Sequence, residues 1–282
     1  MKPSSISKIT LEGREFLVKR DDLFDPYLSG NKYRKLHKLL NTPKENIKTI
    51  ISYGGTQSNA MLAIAALCKL KEWEFIYYTK PLSSNMKEQQ FGNYFDALSL
   101  GMTHKEVEYE LYRDFIAGLS IKNDETTVVI HQGGADRGAI DGLEVLAKEI
   151  REQAPDVKAI ATPSGTGTTA LFLAKSLPEY RIYTVPCVGD ITYLRQQMEA
   201  LSDIPDNLII LEPQKKYRFA KPYSEFLDIF LRLKTSGIEF DLLYAPLMWK
   251  ILLEQTSENI LYIHSGGVSG NSSMLERYKR MR

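Results

Sequence analysis

Short apolar, β-branched or aromatic runs alternate with segments of helical period along the chain. The runs predict strands at Phe16–Lys19, Thr49–Tyr53, Glu74–Thr79, Thr127–His131, Ala159–Thr162, Arg181–Pro186, Leu208–Leu211 and Ile260–His264. The segments between them predict helices over Lys32–Leu40, Ser58–Leu70, Asn85–Leu100, Ala139–Glu152, Thr168–Ser176, Tyr193–Leu201, Ser224–Leu233, Pro246–Glu254 and Ser273–Arg282. Such alternation is the pattern of α/β folds, parallel sheets with helices on both faces. Most strand runs are apolar without strict alternation, as expected where both sheet faces are buried.

No repeat, low-complexity tract or long linker divides the 282 residues, so a boundary has to come from topology. Gly54-Gly55 and Gly133-Gly134 bracket about three βα units. This predicts two parallel-sheet α/β domains with the smaller, residues 35–138, inserted in a larger one made of residues 1–34 and 139–282. Lys and Arg total 36 against 35 Asp and Glu, a net charge of +1, which excludes an overall basic bias toward nucleic acid or an anionic membrane. The longest clean apolar stretch, Ala60 to Cys68, is too short to span a bilayer, and the first residues lack the apolar core of a secretory signal. Cys68 and Cys187 show no CxxC spacing and read as two buried thiols in a reducing, cytoplasmic setting. No His or Cys pair has metal-ligand spacing. His131 and His264 end strands and are candidates to line a crevice; His37 and His104 read as helix or loop positions.

Four glycine motifs sit where an apolar strand meets a polar turn: Gly54-Gly55, Gly133-Gly134, Gly165-Thr166-Gly167 and Gly266-Gly267. In open α/β folds ligands bind at the carboxyl ends of strands, so the set points to one shared crevice; each loop alone is equally a tight turn needing φ > 0. The sharpest is Ser164-Gly165-Thr166-Gly167-Thr168-Thr169, which leads from a strand into a helix. Its glycines let backbone N–H groups converge, the helix N-terminus adds unpaired donors, and three threonine hydroxyls add more, which together make a phosphate cradle. Gly165-x-Gly167-x-x-Ala170, with Asp190 twenty residues beyond Ala170, also matches a dinucleotide fingerprint, so NAD(P) is the runner-up cofactor. No Walker A lysine follows the loop.

Upstream, Lys19-Arg20-Asp21-Asp22 is followed by Ser29-Gly30-Asn31-Lys32-Tyr33-Arg34-Lys35. Asp21 and Asp22 read either as paired catalytic carboxylates or, with more weight, as a polar turn paired with nearby cations. Lys32 opens a helix, and Lys35 lies one turn on along the same face, where it can meet a phosphate. Ser58 and Asn59 begin a helix beneath the Gly54-Gly55 turn and suit recognition of a carboxylate or phenolate; N-capping alone would also account for Ser58. No G-x-S-x-G elbow surrounds it.

Taken together, KRDDL, SGNKYRK, SYGGTQSN, HQGG with GAIDGLE, SGTGTT, Tyr244 and HSGG resemble the fold type II (tryptophan synthase β-like) pyridoxal-phosphate enzymes. Specifically, they are similar to the 1-aminocyclopropane-1-carboxylate (ACC) deaminase / D-cysteine desulfhydrase family. The resemblance runs nearly end to end. It implies pyridoxal 5'-phosphate held covalently by Lys32, with Asn59 on the cofactor's 3′ oxygen. Gly165, Thr166, Gly167, Thr168 and Thr169 would cradle the phosphate, with Lys35 nearby. Ser58 would contact the substrate carboxylate or assist proton transfer, and Tyr244 would match an active-site tyrosine. A second family tyrosine is expected in the Tyr217–Tyr223 region, where the spacing assigns no single residue. A small amino-acid substrate and a homodimer are implied as well.

Two positions bear on the activity. The deaminases carry Glu after the active-site tyrosine, where this chain has Ala245. In the later His-x-Gly-Gly motif the deaminases carry Leu and the desulfhydrases Thr; here the residue is Ser265, a hydroxyl partner for the cofactor. The expectation is therefore α,β-elimination from D-cysteine, giving pyruvate, sulfide and ammonia. ACC deamination to 2-oxobutyrate is the alternative. Ala245 also departs from the desulfhydrases' small hydroxyl residue, which keeps a third pyridoxal-phosphate activity and a noncatalytic binding relative open.

Overall fold

The computed structural model describes residues 3–84, 86, 91–119, 124–134 and 136–280. In chain order the elements are β1 (Ile6–Leu11), β2 (Arg14–Lys19), α1 (Gly30–Lys35), α2 (His37–Asn41), β3 (Thr49–Tyr53), α3 (Asn59–Lys71) and β4 (Glu74–Thr79). There follow α4 (Asn93–Ser99), β5 (Met102–Glu106), α5 (Tyr112–Leu119), β6 (Thr127–Ile130), α6 (Ala139–Gln153), β7 (Ala159–Ala161) and α7 (Thr168–Ser176). The chain ends with β8 (Arg181–Thr184), α8 (Ile191–Glu199), β9 (Leu208–Ile210), α9 (Ser224–Thr235), α10 (Ala245–Gln255), β10 (Ile260–Ile263) and α11 (Asn271–Lys279). No helix among the described residues is long and apolar enough to cross a membrane.

Among the described residues ten strands form two sheets. One has six strands in the order β1-β2-β10-β7-β8-β9, the other four in the order β5-β4-β3-β6. All pairings are parallel except the β1–β2 hairpin. The six-stranded sheet is covered on both faces, by a cluster around Trp249, Phe240 and Val18 and by another around Leu171, Leu146 and Ile160. Ala159, Ile160 and Ala161 are all fully buried, which explains why the central strands read as unbroken apolar runs. Each fully buried Ile or Leu contributes about 1.5–3 kcal/mol. The four-stranded sheet packs its core around α3, with Met61, Ile64 and Leu67 inside. Cys68 and Cys187 are free and buried, as expected.

Several boundaries differ from expectation. β1 was not predicted. It pairs with β2 through a turn in which Glu12 and Gly13 both have positive φ, 52° and 74°, the geometry a two-residue hairpin needs. β5, at the sheet edge, is mostly polar and largely exposed, so it lacks the apolar run that marks a strand. α5 was also missed. The helix expected over Lys32–Leu40 is broken at Leu36, whose φ/ψ of −91°/9° turns its side chain into the core. Of the helix expected over Asn85–Leu100, Asn85 and residues 87–90 lie outside the described residues, and the observed helix starts after Gly92. The last helix starts at Asn271, and residues 281–282 lie outside the described set.

Helix α1 is anchored by a buried ionic cluster. Arg34 donates to both oxygens of Asp21 (2.8 and 2.9 Å) and both oxygens of Glu149 (2.7 Å each). Lys19 reaches Glu149 at 2.6 Å, and Ser4 donates to Asp21 at 2.6 Å. Asp22 pairs instead with Arg20 at 2.7 Å. Both aspartates therefore serve the polar-turn role, and neither lines the cleft described below. α1 also lies so close to α6 that a Cβ on Gly142 would collide with the Arg34 carbonyl.

Candidate active site

The carboxyl ends of β3, β6, β7 and β10 meet at one cleft of about 360 Å³. Gly55, Gly133, Gly165, Gly167 and Gly266, drawn from all four glycine motifs, line it. So do Lys32, Lys35, Ser58, Asn59, Thr166, Thr168, Thr169, Tyr244 and Ser265. Parallel strands and short following turns place these residues together, although they span more than 200 positions.

Lys32 enters from the first turn of α1. Gly30 makes this possible: its φ is +58°, and a Cβ there would run into the Ser265 carbonyl. The Asn31 N–H donates to that carbonyl at 3.3 Å, tying α1 to the loop after β10. Lys32 Nζ donates to Asn31 Oδ1 at 3.0 Å, while Asn31 Nδ2 reaches Thr169 Oγ1 at 3.5 Å. Asn31 thus spans the gap between the amine and the SGTGTT loop. Burial pulls the Lys32 amine down to about 8, with the Asp241 carboxylate acting in the opposite sense. A neutral amine attacks an aldehyde, and protonation blocks it. Condensation of apoprotein with pyridoxal phosphate is therefore expected to be slow below pH 8, to accelerate as pH rises through about 8, and to level off above it. Stopped-flow absorbance against pH checks this.

The SGTGTT loop forms the opposite side. Ser164 and Thr184 share a hydroxyl hydrogen bond at 2.7 Å, and Thr184 donates to the Thr162 carbonyl, which fixes where the loop leaves β7. Gly167, at φ +76°, precedes α7. The first N–H groups of that helix have no intrahelical acceptors, and Thr166, Thr168 and Thr169 line the cleft there, the hydroxyls of Thr166 and Thr168 3.0 Å apart. Lys35 Nζ lies on the Gly133 carbonyl at 3.1 Å. Burial, and then the charge of Lys32, hold its amine well below the usual lysine range. An anion between Lys35 and the loop would relieve that desolvation. The donor set fits a phosphate.

Ser58 Oγ accepts from the Met61 N–H at 3.2 Å, so it caps α3 while also lining the cleft. Asn59 is held by a residue that no motif signalled. Asn93, fully buried, donates to Asn59 Oδ1 at 2.7 Å and to the Gln57 carbonyl at 3.2 Å, and accepts from Ser269 Oγ at 2.9 Å. With Oδ1 engaged, Asn59 presents its amide N–H₂ as donor, the role a cofactor phenolate oxygen requires. Asn93→Ala is expected to weaken cofactor affinity about tenfold, from the loss of roughly 1–1.5 kcal/mol of hydrogen bonding. Fluorescence titration with pyridoxal phosphate measures it.

Tyr244 packs its ring against Gly165 and, at 5.2 Å between centroids, against Phe219. Its hydroxyl is raised above the ordinary phenol range by burial. Asp241, buried, accepts from the N–H groups of Leu243 (3.0 Å) and Tyr244 (2.6 Å) and so fixes the turn that presents the ring. Neither Tyr217 nor Tyr223 lines the cleft. Tyr217 packs on Phe226 and donates to Glu225, and the Tyr223 hydroxyl accepts from the Arg218 N–H. The residue of that segment that reaches the cleft is Phe219, which has no hydroxyl. Ala245 is buried at the start of α10.

His131 and His264 do not line the cleft. His131 contacts the Tyr53 hydroxyl at 3.0 Å, and His264 is buried against Phe240, bonded to the Glu239 carbonyl and the Gly266 N–H. His104 lies in β5, between Thr79 and Tyr94. Asp190 caps α8 by accepting from the Tyr193 N–H at 3.0 Å and lies off the cleft. It is thus not placed to hold a ribose, and the strand order also differs from that of a dinucleotide-binding sheet. No group of acidic, His or Cys side chains among the described residues could hold a metal.

No family model matches the chain. It is 28% identical to a Thermotoga maritima protein provisionally named 1-aminocyclopropane-1-carboxylate deaminase, over 92% of this chain and 90% of that one. It is 25% identical to a D-cysteine desulfhydrase of Serratia proteamaculans, over 90% and 87% of the two chains. Among solved structures, an ACC deaminase homologue superposes with a TM-score of 0.79 at 22% identity, covering 98% of this chain and 94% of the other. The chain's relatives thus carry the names ACC deaminase and D-cysteine desulfhydrase, and its fold is that of the fold type II pyridoxal-phosphate enzymes.

Proposed function

We propose that the chain is a pyridoxal-phosphate-dependent lyase that carries out α,β-elimination on a small D-amino acid, with D-cysteine as substrate. The observation that supports this reading is that Lys32, Asn59 and the phosphate-type loop line one cleft, with Asn93 donating to the Asn59 amide oxygen. Lys32 would hold the cofactor, and the loop with Lys35 would grip its phosphate. When bound, pyridoxal phosphate supplies the electron sink for negative charge at the substrate α-carbon. The chain's residues do the rest. Ser58 and the N-terminus of α3 hold the substrate carboxylate. The Lys32 amine, once exchanged for that of the substrate, is the base that takes the α-proton. The Cβ–S bond breaks and sulfide leaves; D-cysteine and one water yield pyruvate, ammonia and hydrogen sulfide.

No Asp or Glu lines the cleft among the described residues, and Ser265 offers a hydroxyl. A hydroxyl partner strengthens the electron sink less than an acid would, and loss of a thiolate needs less help than opening a ring with no α-proton. ACC deamination is the second reading. It is favoured by the placement of the Tyr244 and Ser58 hydroxyls in the cleft, groups that ring opening would use. Sulfide release from D-cysteine against 2-oxobutyrate release from ACC separates the two; turnover of ACC alone would overturn the first. The same reading takes residues 35–138 as an inserted small domain. It also takes the protein as a cytoplasmic homodimer, a setting its two buried free thiols suit. Sedimentation velocity checks the dimer.

A further inference from the structure

Three cationic side chains line the cleft, Lys32, Lys35 and Arg277, and no carboxylate does among the described residues. Two are accounted for: Lys32 by the cofactor aldehyde and Lys35 by the phosphate loop. Arg277 is left over. It comes from α11, which presents Ser273, Met274 and Arg277 to the cleft, positions i, i+1 and i+4 on one helix face. Ser273 Oγ donates to Gln57 Oε1 at 3.4 Å, next to Ser58. Arg277 therefore stands about one helical turn, ~5–6 Å, farther out along the same wall.

The guanidinium is held in place. Its Nη1 donates to the Ala220 carbonyl at 2.8 Å. Ala220 has φ +57°, a left-handed conformation that L-residues rarely adopt. It follows Phe219, whose ring meets Tyr244. The strained turn thus carries an apolar ring over the inner cleft and a carbonyl that clamps the arginine at its mouth. Among the described residues no carboxylate pairs with Arg277, whose one hydrogen bond uses Nη1 and leaves the rest of its planar fork for a carboxylate.

We infer that the site takes amino acids whose side chain ends in a second acidic group, recognised by Arg277. This rests on the reading of the cleft as an amino-acid site and names its substrate class: alanines substituted at the β-carbon by a leaving group with a carboxylate end. Atoms balance as for D-cysteine, with the acidic thiol leaving in place of hydrogen sulfide.

Binding tests the inference independently of turnover. Calorimetric titration of the holoenzyme with D-glutamate and its uncharged isostere D-glutamine is expected to show at least a tenfold preference for D-glutamate. Arg277→Gln is expected to bring the two within about twofold, and Arg277→Lys to fall between. Equal affinities in the unaltered protein, no binding of either compound, or parallel loss of both in Arg277→Gln would each overturn it. The last outcome would assign Arg277 to the α-carboxylate. Sulfide release from D-cysteine by the same preparation reports separately on the elimination reading.

Discussion

Alanine at position 32 is expected to give a folded, colourless protein that turns over D-cysteine at least about 10²–10⁴-fold more slowly than the parent. The size follows from two losses at one atom. Lys32 and the phosphate-type loop line one cleft, and in the proposed reaction the same amine would, after exchange, be the base for the α-proton. The fold is expected to persist because the amine makes a single hydrogen bond, to Asn31 Oδ1 at 3.0 Å. Arginine at this position retains charge but forms no carbon–nitrogen bond with an aldehyde under these conditions, so it is expected to be as inactive as alanine. Added pyridoxal phosphate should restore neither variant. The absorbance band of lysine-bound cofactor and pyruvate release, measured on the same samples, check the two losses together.

The largest effect on stability is expected at Arg34. Its guanidinium is fully buried and bonds two carboxylates at once, Asp21 and Glu149, with the Phe24 ring 4.8 Å from its centre. With Lys19 the cluster holds two positive and two negative charges. Arg34→Met keeps much of the side-chain volume but leaves two buried carboxylates facing one lysine. Loss of one partner from such a group costs about 3–5 kcal/mol. The exposed Lys44–Glu72 pair is the control, and Lys44→Ala should cost under about 1 kcal/mol. Urea denaturation of both variants measures the difference. Because Arg34 lies two residues after Lys32 on α1, the surviving folded fraction is also expected to bind cofactor more weakly. The cluster carries an acid dependence too. Burial raises the Glu149 carboxyl, but hydrogen bonds from Arg34 and Lys19 outweigh it and hold the group below the usual carboxylate range. A folded value below the unfolded one gives stability that is fully present above the unfolded value, about 4.3, and lost as pH falls through the folded value.

Much of this architecture was legible in the residue pattern. β3, β7 and β8 and their following helices announce themselves because their central residues, such as Ile50, Ile51, Ile160 and Ile182, are buried and form short apolar runs. The four glycine turns converge on one cleft for the reason the sequence suggested: each ends a parallel strand at its carboxyl end. The illegible parts have physical causes. β5 is a polar edge strand, MTHKE, whose ladder bonds leave no trace in side-chain hydropathy. β1 was obscured by its Glu12-Gly13 turn, in which a non-glycine residue takes a positive φ. In the cleft, most of the residues at its centre sit in recognisable strings, whereas those that orient them do not, and neither do Phe219 and Arg277. Asn93 follows an ordinary Gly92 and has no motif, yet three of its hydrogen bonds set the direction of Asn59. Asp241 reads as one acidic residue among many until the turn at Tyr244 closes on it. Phe219 was hidden by the tyrosines on either side, which pack on each other against the edge of the core rather than in the cleft.

Pyridoxal phosphate is proposed to attach covalently to the Lys32 amine of α1. The direct measurement is borohydride reduction of the protein after incubation with pyridoxal phosphate, followed by digestion and peptide mass spectrometry. One phosphopyridoxyl group per chain, on the peptide containing Lys32, is the expected result. Stoichiometric label on Lys35 or another lysine with Lys32 unmodified, or no stable label at all, would contradict it.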